Sequence, residues 1–177
     1  MAGLSKIRII FVEGETENSL FQKMKQQRVI DAKSIVKRNF WQKSIRNYAI
    51  TIPKGSDILI VFDSDEVEQS ARFIENVKFL KNRGHKVYLL QQKRNFEEEL
   101  AWCCGIPVKK LIAGFCAKKT SGINDFKRDF IACNNQLSKL LKMGMQETKW
   151  FTRDLHAVLE PVASFKSSFS KHFRLTR

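Results

Sequence analysis

Three acidic residues carry the chemistry that this sequence is equipped for: Glu13, in the pair Glu13-Gly14, and Asp63 and Asp65, in the run Asp63-Ser64-Asp65. Each group follows a short apolar run, IRIIFV at 7–12 before Glu13 and ILIVF at 58–62 before Asp63. Carboxylates brought close together repel one another, and their removal from water costs free energy unless a cation balances them. Hard oxygen donors of this kind select Mg²⁺ or Mn²⁺ over metals that prefer sulfur. A cation so held keeps positions open for water and phosphate, and it neutralises charge on a phosphoryl group. The expectation is a divalent-metal site with Glu13, Asp63 and Asp65 as ligands. Acidic residues at strand ends also serve as helix caps, so Asp-x-Asp alone is a weak pattern. The Glu-Gly about 50 residues upstream is what strengthens it.

The elements that must position these groups follow from hydrophobic patterning. The runs 7–12 and 58–62 read as buried strands, and KVYLLQ at 86–91 as another; 34–40 alternates weakly. Ligands gather at the carboxyl ends of strands in an open α/β sheet, so neighbouring strands would bring the three carboxylates to one rim. Alternation along an extended segment would point Asp63 and Asp65 the same way. Helical spacing predicts a helix over 15–28, with Leu20, Phe21 and Met24 on one face. A second spans 67–82, burying Phe73, Val77 and Leu80 before a cap at Gly84. Asn95 opens a third, NFEEELAW, whose acidic start suits the helix dipole. Gly105 and Pro107 end it, a basic loop covers 114–122, and one amphipathic helix runs over 124–143. Strands alternating with helices give an α/β fold: a mostly parallel sheet flanked by helices, with a helical C-terminal extension. Residues 1–105 form the core and 106–177 a basic helical extension packed on the same domain.

Charge points to the partner. The 177 residues hold 32 Lys and Arg against 18 Asp and Glu, a formal net charge of +14, which favours encounter with polyanions. Nucleic acid, DNA or RNA, is the expected partner. Lys93 and Arg94 lie between the strand at 86–91 and the helix at Asn95, near the acidic rim. Lys118, Lys119 and Lys127 add candidate phosphate contacts from the following loop and helix. Between Lys23 and Lys54 the charge is almost all positive, with Phe40, Trp41 and Tyr48 interleaved. That stretch reads either as phosphate contacts with base stacking or as a solvated loop whose aromatics pack inward. The tail past Pro161 repeats Phe at 165, 169 and 173, as a docked face or as a basic arm.

Cys103, Cys104, Cys116 and Cys133 form no C-x-x-C pair and read as small core hydrophobes. The three histidines, His85, His156 and His172, read as structural or surface residues. No charge-free stretch reaches membrane-spanning length, and no cleavable signal of the usual form opens the chain, so a cytoplasmic protein is expected.

The segment IRIIFVEGETENSLF followed by DILIVFDSD resembles the Toprim domain shared by primases, topoisomerases and several nucleases. The VEGETE form, with a later Phe-Glu at a helix start, is most similar to RloB-type and OLD-type bacterial proteins, often linked with phage defence. The matching residues are Glu13 and Gly14, Asp63 and Asp65, and Phe96 and Glu97. The resemblance covers roughly residues 6–102, more weakly to 127. It implies a Toprim-like sheet and Mg²⁺-dependent phosphodiester hydrolysis. Glu13 would serve as metal ligand or general acid/base, Asp63 and Asp65 would hold the metal, and Glu97 would complete the acidic rim. Glu98 and Glu99 adjoin Glu97, and neighbours on a helix point about 100° apart, so only part of this run is able to face the site. OLD-type proteins carry an ATPase domain, but no G-x-x-x-x-G-K-[ST] loop occurs here, leaving a stand-alone domain or one serving a partner protein or ATPase subunit. Two further readings stand beside the nuclease: a non-catalytic module binding nucleic acid, a nucleotide or a partner enzyme, and a phospho-receiver domain. The basic charge and the Glu-Gly argue against the last.

Overall fold

The computed structural model describes residues 7–92, 94–117 and 122–175. Four parallel strands make one sheet: β1 (Arg8–Val12), β2 (Ser34–Lys37), β3 (Asp57–Phe62) and β4 (Lys86–Gln91), in the order β2-β1-β3-β4. Parallel neighbours need crossovers. Helix α1 (Glu15–Gln26) lies between β1 and β2, the one-turn α2 (Arg46–Ala49) between β2 and β3, and α3 (Ser70–Asn82) between β3 and β4. Beyond β4 come α4 (Phe96–Cys104), α5 (Val108–Phe115), α6 (Ile123–Ala132) and α7 (Gln136–Lys142), then short 3-10 segments. The architecture is α/β and Rossmann-like, as the alternating pattern predicts. Among the described residues no helix is long and apolar enough to cross a membrane.

The central strand explains its own composition. All six residues of β3 are buried, because both sheet faces are covered. Alternate residues feed two separate cores. Ile10, Val12, Leu59 and Val61 pack with α1 and the helices after β4, whereas Ile9, Phe11, Ile58, Ile60 and Phe62 pack with α3 and the segment Ala157–Phe165. The segment after residue 105 thus contributes to both cores.

Several expectations change. The chain leaves β2 after Lys37 rather than continuing to Phe40. The buried Asn76 on α3 holds the departing loop, donating to the carbonyls of Phe40 and Lys43 and accepting from Ile45 N, all at 2.9 Å. Phe40 and Trp41 are buried against Phe11, Phe62 and Phe73, so these two aromatics of the basic stretch pack inward, whereas Tyr48 is partly buried and meets Phe11 edge-to-face. Part of that basic charge is also spent internally: Arg46 pairs with Glu75 at 2.9 Å, and Lys37 with Glu15. Gly114 lies inside α5, so no loop begins there.

The expected helix over 124–143 is two. It breaks at 133–135, where Lys23 donates to the carbonyls of Ile131 (2.9 Å) and Cys133, and the buried Gln136 donates to Phe130 O. Side chains satisfy carbonyls that a continuing helix would have used. The tail is docked rather than free. Phe169 and Phe173 are buried in the first core, Phe165 packs on the second, and Lys166 bridges in parallel to Leu89.

Candidate metal centre

Val12 of β1 lies beside Val61 of β3, so the residues that follow, Glu13 and Asp63, emerge together at the carboxyl edge of the sheet. The two are in direct contact: Asp63 N donates to Glu13 Oε2 at 3.3 Å. Asn39, in the loop after β2, orients the glutamate. Its Oδ1 accepts from the backbone N–H of Trp41 (2.8 Å) and Gln42 (3.0 Å), while its Nδ2 donates to Glu13 Oε1 at 2.8 Å and to Glu66 Oε2 at 3.3 Å. Trp41 Nε1 donates to the Asp63 carbonyl at 3.1 Å, fixing the turn from below.

Two more carboxylates join from helices. Glu17, in the first turn of α1, is buried and accepts from Gln92 Nε2 at 2.9 Å. Glu97, in the first turn of α4, is 2% exposed. Asn95 caps this helix by accepting from Glu98 N at 2.9 Å. Glu13, Glu17, Asp63 and Glu97 line one cavity of about 420 Å³. Lys127, whose Nζ lies 3.7 Å from Glu97 Oε1, is the cation among its described lining residues.

Asp65 is placed differently from the expectation. The strand ends at Phe62, so the two-residue alternation does not extend to 63–66; there the chain turns, and Asp65 N donates back to Asp63 Oδ1 at 3.2 Å. Asp65 is exposed and lines a neighbouring cleft with Gln42, Glu66 and Glu68. Glu99 points away from the cavity, bonded to Phe151 N, so Glu97 is the member of the Glu run that faces it. Arg94 is exposed near the start of α4, whereas Lys93, Lys118 and Lys119 lie outside the described residues. Asn39, Glu17 and Gln92 are the participants that sequence reasoning did not name. For Glu17 a signal existed, because it falls on the helical stripe of Leu20, Phe21 and Met24, where a charge is anomalous.

The cluster is electrostatically frustrated. Burial, then the Asp63 charge, pushes the Glu13 carboxyl from 4.5 up to about 8. Burial, with Asp65 adding repulsion, pushes Asp63 to about 6, and burial also raises Glu17. Among the described residues no group of three or more His, Cys, Asp or Glu side chains stands, as placed, where it could hold a metal ion. The donor set nonetheless suits a hard divalent cation. It consists of carboxylate oxygens, Lys127 is the cation beside it, and the buried Glu97 Oε1 accepts no hydrogen bond. Glu13 and Asp63 would be the ligands, with Glu17 or Glu97 completing the set from the opposite wall.

Comparison with family models, with curated proteins and with solved structures yields no match for this chain. The geometry and chemistry of the site carry the functional reading.

Proposed function

We propose that this protein is a cytoplasmic, Mg²⁺- or Mn²⁺-dependent nuclease of Toprim type that hydrolyses phosphodiester bonds in DNA or RNA. The observation that carries this reading is the convergence of Glu13, Asp63, Glu17 and Glu97, from four separate elements, on one cavity at the carboxyl edge of a parallel sheet. A bound divalent cation would lower the pKa of a coordinated water and offset charge on the scissile phosphate. The chain's own groups do the positioning. Asn39 and the Asp63 amide fix both oxygens of Glu13, so its carboxyl is presented in one orientation. In the metal-free protein the Glu13 carboxyl, raised to about 8, keeps its proton at neutral pH, and a bound cation would displace that proton. Lys127 stands at the rim, half exposed, where it would meet a phosphate oxygen. The four cysteines are free, in keeping with a reducing compartment. The likeness of the sequence to RloB-type and OLD-type proteins adds a role in phage defence to this reading.

The test is cleavage of a panel of single- and double-stranded DNA and RNA, with Mg²⁺, with Mn²⁺ and with chelator. Wild type is expected to cut at least one substrate only with metal. Asp63→Asn is expected to lower that rate by about 10³-fold or more while the melting temperature stays within a few degrees. Metal-independent binding with no cleavage of any substrate would turn the reading to a non-catalytic binding module.

Gly14 provides a second, local prediction. A Cβ at this position would run into the Glu17 carboxylate, which is buried and held by Gln92. Gly14→Ala should therefore displace Glu17 and reduce metal-dependent turnover by roughly tenfold or more, against a stability loss of about 1 kcal/mol. Comparable losses in both, measured by initial rates and thermal melts, would show that Gly14 matters for folding alone.

A further inference from the structure

The opposite edge of the sheet holds a larger cavity, of about 660 Å³, which the nuclease reading does not use. The strand register builds its floor: Arg8 pairs across to Asp57, and Asp57 to Lys86, at the starts of β1, β3 and β4. The five-residue length of β1 separates this edge from the carboxylates by roughly 17 Å, at about 3.3 Å per residue. Tail residues 164–172 make the facing wall, because Lys166 bridges to Leu89 and Ser167 N donates to Leu89 O at 2.8 Å.

The wall chemistry is the inverse of the carboxylate site. Lys81, Lys86 and Lys171 line it with Arg8, while Lys166 is engaged by Asp154. Asp57 is the one acid among the described lining residues, so positive charge is in excess. Arg8 is held in place: its guanidinium lies 4.9 Å from the centre of the Phe173 ring and donates to Asp31 O at 3.2 Å. Its buried Nε has no hydrogen-bond partner. A prearranged guanidinium flanked by exposed ammonium groups is the donor set that phosphate oxygens satisfy. The same cavity offers apolar surface. Tyr88 packs edge-on against His172 at 4.4 Å, with His172 Nε2 2.7 Å from Ser167 Oγ, and Phe165 lines the side nearest Lys81. The volume falls within the roughly 300–1,000 Å³ of small-molecule sites.

We infer that this cavity binds a phosphate-bearing ligand of nucleotide size, its phosphates on Arg8, Lys86 and Lys171 and its ring against Tyr88 and Phe165. The site is separate from the metal centre, so the inference does not depend on the nuclease reading. It makes the molecule two-poled, with a carboxylate site at one end of the strands and an anion site at the other.

Titration calorimetry of the full chain in chelator, which silences the metal centre, provides the test. ATP is expected to bind at one equivalent per chain, and adenosine not at all. Lys86→Glu combined with Lys171→Glu should weaken ATP by more than about tenfold, since each lost charge-assisted contact is worth about a factor of ten. Both side chains project from exposed positions, so the melting temperature should hold. Asp63→Asn should leave ATP affinity unchanged, which separates this site from the metal centre. No heat at millimolar ATP, or affinity insensitive to the double variant, overturns the inference. So does pyrophosphate binding as tightly as ATP, which would remove the ring from recognition, or a 5′-phosphorylated oligonucleotide binding far more tightly than ATP, which would assign the cavity to polymer ends.

Discussion

Glu13→Gln is expected to raise the melting temperature of the metal-free protein at pH 8 and, in the same variant, to abolish metal-dependent cleavage. The sign follows from the direction of the shift. Below pH 4.5 the Glu13 carboxyl is neutral in both folded and unfolded chains and contributes no pH dependence. Between 4.5 and about 8 the unfolded chain has released the proton while the folded chain still holds it. Stability therefore falls as pH rises, by up to about 1.4 kcal/mol per pH unit for one group, and is level above pH 8. Asp63 adds a smaller loss of the same sign between 3.8 and about 6. The rim is open to water on one side, so the realised Glu13 term is about 2–3 kcal/mol rather than the full product. For a domain of this size that is roughly 5–10 °C. Glutamine keeps the acceptor for Asp63 N but loses the one for Asn39 Nδ2, which offsets about 1 kcal/mol of the gain, and it removes the titration, so the variant's melting temperature should change less with pH. Millimolar Mn²⁺ should stabilise wild type and leave the variant nearly unmoved, because a ligand of the folded state stabilises it by mass action. Thermal melts from pH 5 to 8.5, with and without Mn²⁺, measure all three. Parallel pH slopes and equal Mn²⁺ responses for the two proteins would refute the account of the site.

The second large effect is on folding. Glu99→Ala is expected to cost about 3–5 kcal/mol, lowering the melting temperature by about 10 °C or more. Glu99 is fully buried, yet it binds the segment beyond α7. Its Oε1 accepts from Phe151 N at 2.8 Å and lies 3.9 Å from Cys103 Sγ, and its Oε2 is 3.9 Å from Arg153 Nε. Phe151 has a φ of 56°, a conformation costly for a bulky residue, so the contact holds a strained turn. Arg153 in turn lies 4.3 Å from the centre of the half-exposed Trp102 ring. Alanine would leave the buried Phe151 amide without its acceptor and the part-buried Arg153 guanidinium without its counter-charge. Glu99→Gln keeps the amide's acceptor and loses only the charge, so it should cost about half as much. Burial and the Glu99 charge also keep Cys103 in its thiol form. A loss below about 1 kcal/mol for the alanine variant would mean that the tail is anchored elsewhere.

Those two residues mark how far the sequence was legible. Short apolar runs make β1, β3 and β4 legible, most clearly β3, whose two covered faces leave Ile, Leu, Val and Phe in sequence, whereas the edge strand β2 carries only a weak pattern. Glu13 and Asp63 were legible for the same reason, as the polar residues that end such runs. Asp65 was misplaced because alternation applies only while the backbone stays extended, and here it turns after Phe62. The apolar spacing over 124–143 survives the break between α6 and α7, so it predicts one continuous helix. Nothing in that spacing reports that Lys23, about 110 residues earlier, supplies the bonds that end α6. Asn39 and Gln92 carried no signal. Each is an isolated polar residue whose role arises only when distant strands come together.

The two lateral borders of the sheet are finished differently. β2 is four residues long, follows Lys33 and ends in Lys37, so an incoming chain meets little backbone and much like charge. β4 is longer and more apolar, and the chain's own residues 166–167 lie against its outer side. A version trimmed before Lys166 would bare part of that border and leave the Leu89 carbonyl without its partner, so the tail closes the sheet's second edge as well as contributing to the cores.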